Sequence, residues 1–191
     1  MKKTVFTTPI LATILNLIAR CIVKLIGWHF IGSLPEKRRF VLIGAPHTSN
    51  WDFILMLLAM LILRLEVHWM GKDSLFAFPF GGFMKWLGGI PIDRSSNHNT
   101  VDQIIMQFEQ HDELIVLVPP EGTRSKVEKW KTGFYHIANG ADVPILLGFI
   151  DAGKKEMGFG PMYQPTGDIE KDLPEIQAFY KTKQAIHPEL Q

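Results

Sequence analysis

The chain is sparing with the features that usually declare a function. It holds one cysteine, Cys21, so no internal disulfide can form, which fits a reducing compartment. Cys21 sits in an apolar helical run and reads as a small buried hydrophobe rather than a nucleophile. Charge of either sign is not in excess: 20 Lys and Arg meet 19 Asp and Glu, a net charge of +1, and no dense basic tract appears. Nothing global therefore points to nucleic acid. There is no internal repeat and no low-complexity linker. A Gly-x-Ser-x-Gly elbow and a phosphate-cradling Gly-x4-Gly-Lys loop are both missing, which removes two common routes to nucleophilic and nucleotide chemistry.

At 191 residues the chain suits one domain with a real core. Hydrophobic residues make up 47% and charged residues 20%, a globular composition with a mean hydropathy of +0.09. The apolar excess lies in two segments. The first, residues 5–28, has Thr13, Asn16, Arg20 and Lys24 along one helical stripe and a broad apolar face opposite. It predicts an amphipathic helix at a membrane surface, within an N-terminal segment 1–34 that precedes the domain at 35–191. No small-residue cleavage site follows it, which argues against a removed signal peptide. The second, residues 53–63, is apolar all round but too short for a membrane span, and predicts a buried core helix.

Strand-like runs at 39–45, 66–71, 90–94, 114–118, 143–150 and 157–163 alternate with helical patterns at 78–87, 100–110 and 132–139, and a last helix begins at Pro174. This alternation predicts an α/β domain with a largely parallel central sheet flanked by helices. Binding sites in such sheets gather at the carboxyl ends of strands. There the sequence places His47-Thr48-Ser49-Asn50-Trp51-Asp52, between a strand and a helix. An imidazole takes a proton from an alcohol near neutral pH, and a carboxylate on its other nitrogen fixes the tautomer. Lys72, Arg94 and the run Glu121-Gly122-Thr123-Arg124 follow other strands. One sheet edge gathering three cations forms an anion site, with Arg suited to phosphate, Gly122 permitting close backbone approach and Thr123 adding a hydroxyl.

Taken together, these blocks resemble the glycerolipid acyltransferase family that makes phosphatidic acid from 1-acylglycerol-3-phosphate. The matching stretches are His47 to Asp52, Gly89-Ile90-Pro91-Ile92-Asp93-Arg94, Pro120 to Arg124 and Val143-Pro144-Ile145-Leu146, in the family's order. The resemblance implies an O-acyltransferase in which His47, the His of a His-x4-Asp motif, is the general base and Asp52 orients it. It implies that Arg124 and Lys72, with Arg94 as a further candidate, hold the acceptor phosphate, and that Glu121 fixes their loop. The acyl donor would be acyl-CoA or acyl-carrier protein, with no metal or bound cofactor, at the cytoplasmic face of the inner membrane. The implied partners are membrane lipids and a lysolipid acceptor, with no nucleic acid. Departures from the pattern, such as Pro46 before His47 and Pro119-Pro120 before Glu121, leave open another lysophospholipid or a lyso-aminolipid as acceptor; the apolar helix and the anion site also fit a non-catalytic lipid-binding protein of the same fold.

Overall fold

The computed structural model describes residues 3–92 and 97–191. Its framework is a seven-stranded sheet. The strands are β1 (His29–Ile31), β2 (Arg39–Ala45), β3 (His68–Lys72), β4 (Gly89–Ile92), β5 (Leu114–Val118), β6 (Ile145–Asp151) and β7 (Glu156–Tyr163). Their order across the sheet is β1-β7-β6-β2-β5-β3-β4. The β6–β7 pair is antiparallel and every other pair is parallel. The helices are α1 (Leu11–Leu25), α2 (Asn50–Leu63), α3 (Gly81–Trp86), α4 (Asn97–Gln110), α5 (Gly133–Gly140) and α6 (Ile169–Tyr180).

Strand β2 explains the architecture. Its run Phe40-Val41-Leu42-Ile43 is buried on both faces, as a central parallel strand must be. Val41 and Ile43 join a core with residues of α4, α5 and α6. Phe40 and Leu42 join a second core with α1 and α2 on the other face. The result is the three-layer α/β arrangement read from the alternation of elements. Residues 1–34 contribute β1 to the sheet as well as α1. The three-residue β1 is too short to carry a strand pattern of its own.

Several boundaries differ from expectation for identifiable reasons. The helix expected at 78–87 forms only over Gly81–Trp86, preceded by a 3₁₀ turn, Asp73–Phe76. Pro79 sits at the break, and a Cβ on Gly81 would lie 1.9 Å from the Phe76 carbonyl oxygen, so the turn closes too tightly for a longer helix. The last helix starts at Ile169 rather than Pro174, because the Asp168 carboxylate accepts from the Glu170 and Lys171 N–H groups as its N-cap.

Helix α1 is amphipathic as expected, with part of its polar stripe packed on α2 and much of its apolar face turned outward. Its inward stripe is Asn16, Ala19 and Val23. Asn16 donates to the Leu61 and Ile62 carbonyls at the end of α2, and Arg20 donates to the same Ile62 carbonyl and to Asn16 Oδ1. Polar groups of α1 thus satisfy orphan carbonyls of α2, and much of the apolar face is left outside. Ile10 at its N-cap is 78% exposed, Leu17 60% and Leu25 85%. Cys21 is exposed for the same reason, a correction to its reading as a buried hydrophobe. No helix among the described residues is long and apolar enough to cross a membrane.

Away from the parallel strand ends, the fully buried Asp172 closes the α6 side of the fold. It accepts from Tyr135 Oη (2.7 Å), Tyr163 Oη (2.9 Å), Thr166 N (2.7 Å) and Thr166 Oγ1 (2.8 Å). Burial alone would raise its pKa; the donors, led by the Thr166 N–H and the Tyr135 hydroxyl, hold it down to about 2. Because the folded value is depressed, its stabilisation is present above the ordinary 3.8 and is lost as pH falls through about 2. We predict that Asp172→Ala lowers unfolding free energy by about 3 kcal/mol at neutral pH. Urea titration should move the midpoint, and the gap from wild type should narrow between pH 4 and pH 2.

Candidate functional site

The site grows from the end of β2. After Ala45 the chain leaves the sheet, and α2 starts five residues later with a capping box. Ser49 is the N-cap, its Oγ accepting from Trp51 N at 3.2 Å. Asp52 is the N3 residue, and its Oδ2 accepts from the backbone N–H groups of Ser49 and Thr48, both at 2.7 Å. The same oxygen lies 3.2 Å from His47 Nδ1. Asp52 is buried, while the His47 side chain is 24% exposed. The helix N-terminus favours a carboxylate in this position. Assigned from this contact, the proton sits on Nδ1 and Nε2 is an acceptor.

The second half of the site follows β5, beside β2 in the sheet. Glu121 is buried and its Oε2 accepts from His47 N at 2.8 Å, tying the two loops together. Burial raises the Glu121 pKa, against the lowering effect of the His47 N–H. Gly122 has φ +66°, a left-handed conformation that favours glycine, and it packs against the end of the Lys131 side chain. Thr123 Oγ1 accepts from Ser125 N at 3.3 Å. Arg124 reaches back to donate to Asn50 Oδ1. Thr48 Oγ1 accepts from His187 N at 3.1 Å, so the segment after α6 also braces the histidine loop.

These groups surround a cavity of about 780 Å³ between the sheet and α2. His47, Asp52, Lys72, Gly122, Thr123 and Arg124 line its polar end. The rest is apolar, with Leu42, Leu117 and Ile150 from the sheet and Phe53, Met56 and Met60 from α2. Gly44 and Gly148 pair side by side on β2 and β6 and both line the cavity, leaving room where side chains would stand. Of the residues expected at the site, Glu121 stands behind His47 rather than on this cavity, and Arg94 lies outside the described residues. Sequence reasoning missed Asn50 and Thr48. Both lie inside the His47–Asp52 block, so position was the available signal. Among the described residues, no three His, Cys, Asp or Glu side chains converge to hold a metal ion.

The family model for Acyltransferase matches residues 26–146, from just before β1 into β6. The chain belongs to the Acyltransferase family. Among curated members, it is 35% identical over 109 residues to the 1-acyl-sn-glycerol-3-phosphate acyltransferase of Escherichia coli strain K12, an alignment covering 53% of this chain and 43% of that protein. It is 34% identical over 115 residues to the enzyme of the same name from Haemophilus influenzae, covering 56% and 46% respectively. The chain therefore spans less than half the length of these relatives. The fold is similar to that of the 1-acyl-sn-glycerophosphate (LPA) acyltransferase PlsC from Thermotoga maritima, with a TM-score of 0.63 and 19% identity over 90% of this chain and 77% of that one. The matched family segment contains the histidine loop, β3 with Lys72, and the whole Glu121–Arg124 turn.

The contact between His47 Nδ1 and Asp52 makes a spectroscopic prediction. Long-range proton–nitrogen NMR correlation should find the neutral His47 ring protonated on Nδ1, and Asp52→Asn should disturb that preference. A ring protonated on Nε2 in the wild-type protein would contradict the geometry.

Proposed function

We propose that the protein is an O-acyltransferase that moves a fatty acyl group from a thioester, acyl-CoA or acyl-carrier protein, to the free hydroxyl of 1-acylglycerol-3-phosphate, giving phosphatidic acid. The observation that carries this reading is an imidazole, backed by a buried carboxylate, at the polar end of an otherwise apolar cavity bearing Lys72 and Arg124. Family membership and the names of the curated relatives support the same chemistry.

In this mechanism His47 Nε2 takes the proton of the acceptor hydroxyl as its oxygen attacks the thioester carbonyl. Asp52 offsets the positive charge that develops on the ring. Collapse of the tetrahedral intermediate breaks the carbon–sulfur bond. The leaving thiolate takes the proton from the imidazolium and departs as the free thiol, so the enzyme regains its starting state. A thiolate needs no strong acid to depart. The apolar cavity accepts the fatty chain. Arg124, with its planar fork, and Lys72 bind the acceptor phosphate.

The substrates are lipids and the attachment is peripheral, at the cytoplasmic face of the membrane; the exposed apolar face of α1 supports the attachment itself. Because Asn16 and Arg20 brace α2, exposed side chains of α1 make a cleaner test than deletion of the helix. Ile14→Ser, Leu17→Ser and Ile18→Ser together should reduce co-sedimentation with vesicles while leaving the circular dichroism spectrum unchanged. Unaltered co-sedimentation would remove α1 from membrane contact.

The acceptor is tested with labelled acyl-CoA and acyl-carrier protein against lysophosphatidate, neutral and zwitterionic lysolipids and a lyso-aminolipid. Phosphatidic acid should dominate the products, and preference for another acceptor would overturn the phosphate reading. Arg124→Ala should raise KM for lysophosphatidate by roughly tenfold or more, as loss of a charge-assisted pair does, while leaving KM for the donor nearly unchanged.

A further inference from the structure

Between β3 and α3 lies an apolar connection that the acyl-transfer chemistry does not use. Residues 75–84 contain no charge and carry four phenylalanines. Phe76 turns inward, its ring stacked on Trp69 with centroids 5.8 Å apart. Its neighbours turn outward: Phe78 is 98% exposed, and Leu75, Phe80 and Phe83 are 48, 64 and 52% exposed. Single exposed hydrophobics are ordinary on a protein surface, but four within one short connection form a patch that calls for a partner. The loop is also built rather than slack. Gly81 N donates to the Ala77 carbonyl at 3.0 Å, and Gly81 closes against the Phe76 backbone where no Cβ fits.

Three observations say what covers this patch. Leu75 and Met84, near its two ends, line the same cavity as His47, so the aromatic loop borders the site's apolar space. Lys72 and Lys85 are exposed on either side, and Asp73 is the one acid between them. The loop is also tied to the start of α1: Val5 N donates to the Trp86 carbonyl at 2.8 Å, and Trp86 Nε1 donates to Thr8 Oγ1 at 3.3 Å. The exposed Ile10 and the apolar face of α1 therefore begin beside α3.

We infer that Leu75, Phe78, Phe80 and Phe83 form a membrane-inserting loop, separate from α1, that holds the cavity against a bilayer containing anionic lipid. A phenylalanine that stands almost wholly clear of its own protein needs a matched pocket on a protein partner, but none in a bilayer. Aromatic side chains settle at the headgroup level, and lysines beside them meet anionic headgroups. The cavity bordered by Leu75 would then fill directly from the lipid phase. The inference rests on the lipid acyl-transfer reading for what the cavity admits, and on the exposed patch alone for the insertion itself.

The test uses the full chain with Cys21→Ser, an environment-sensitive fluorophore at Phe78→Cys, and a control label at Lys171→Cys on α6. Vesicles of phosphatidylethanolamine and phosphatidylglycerol carry doxyl-labelled lipid as quencher. The probe at position 78 should shift to the blue and be quenched, while that at 171 stays water-like. In the unlabelled chain, Phe78→Ser with Phe80→Ser should weaken partition into these vesicles roughly tenfold or more. A probe at 78 that remains in water on vesicle-bound protein overturns the inference, as does failure to bind vesicles. A shift that needs no vesicles and grows with protein concentration also overturns it, in favour of a second copy of the chain. Acyl transfer by the wild-type chain is measured in parallel. Absent transfer with a quenched probe would sink the proposed function and leave the loop; active transfer with a water-exposed probe would do the reverse.

Discussion

One carboxylate oxygen organises the site. Asp52 Oδ2 accepts from the Thr48 and Ser49 N–H groups and contacts His47 Nδ1 at the same time. The Ser49 bond is that of a helix capping box and the Thr48 bond adds to it, so the carboxylate that starts α2 is also the one that contacts the imidazole. Without it, two buried N–H groups would lose their partner and the ring would lose its orientation together. Five residues is the separation the geometry needs: one extended turn out of β2, the N-cap, and a first helical turn that brings the N3 side chain back. The His-x4-Asp spacing is thus a property of a strand-to-helix connection.

The second loop depends on the first. Glu121 accepts the His47 N–H, and Arg124 reaches Asn50, so both ends of the Glu121–Arg124 turn are fastened to the histidine loop. Parallel pairing of β2 with β5, and of β5 with β3, brings these loops and Lys72 to one edge. Glu121 therefore holds the His47 backbone from behind, while Arg124 and Lys72 line the cavity.

The long, continuously buried strands were legible in the sequence because burial on both faces writes an unbroken apolar run, as at 39–45 and 114–118. The two loops that meet at the cavity, 47–52 and 121–124, were legible because they follow the carboxyl ends of those strands. What was not legible depended on tertiary context. The three-residue β1 leaves too little pattern to read. Helix α1 has the expected amphipathicity, but the carbonyls at the end of α2 draw Asn16 inward and leave Cys21 exposed. The pairing of Glu121 with the His47 backbone, and of Arg124 with Asn50, joins residues 74 apart in the chain. No local pattern encodes such partners. The helix expected at 78–87 is shortened because Phe76 needs its place against Trp69 and Gly81 needs its place against Phe76.

The central claim is that His47 removes the proton from the acceptor hydroxyl during direct transfer. It is tested most directly by the rate of labelled acyl transfer to lysophosphatidate in His47→Ala, with folding checked by near-ultraviolet circular dichroism. The account predicts a native-like spectrum and a kcat reduced by roughly a thousandfold, the scale expected for loss of a general base. A natively folded variant that still transfers the acyl group within a few-fold of the wild-type rate would contradict it.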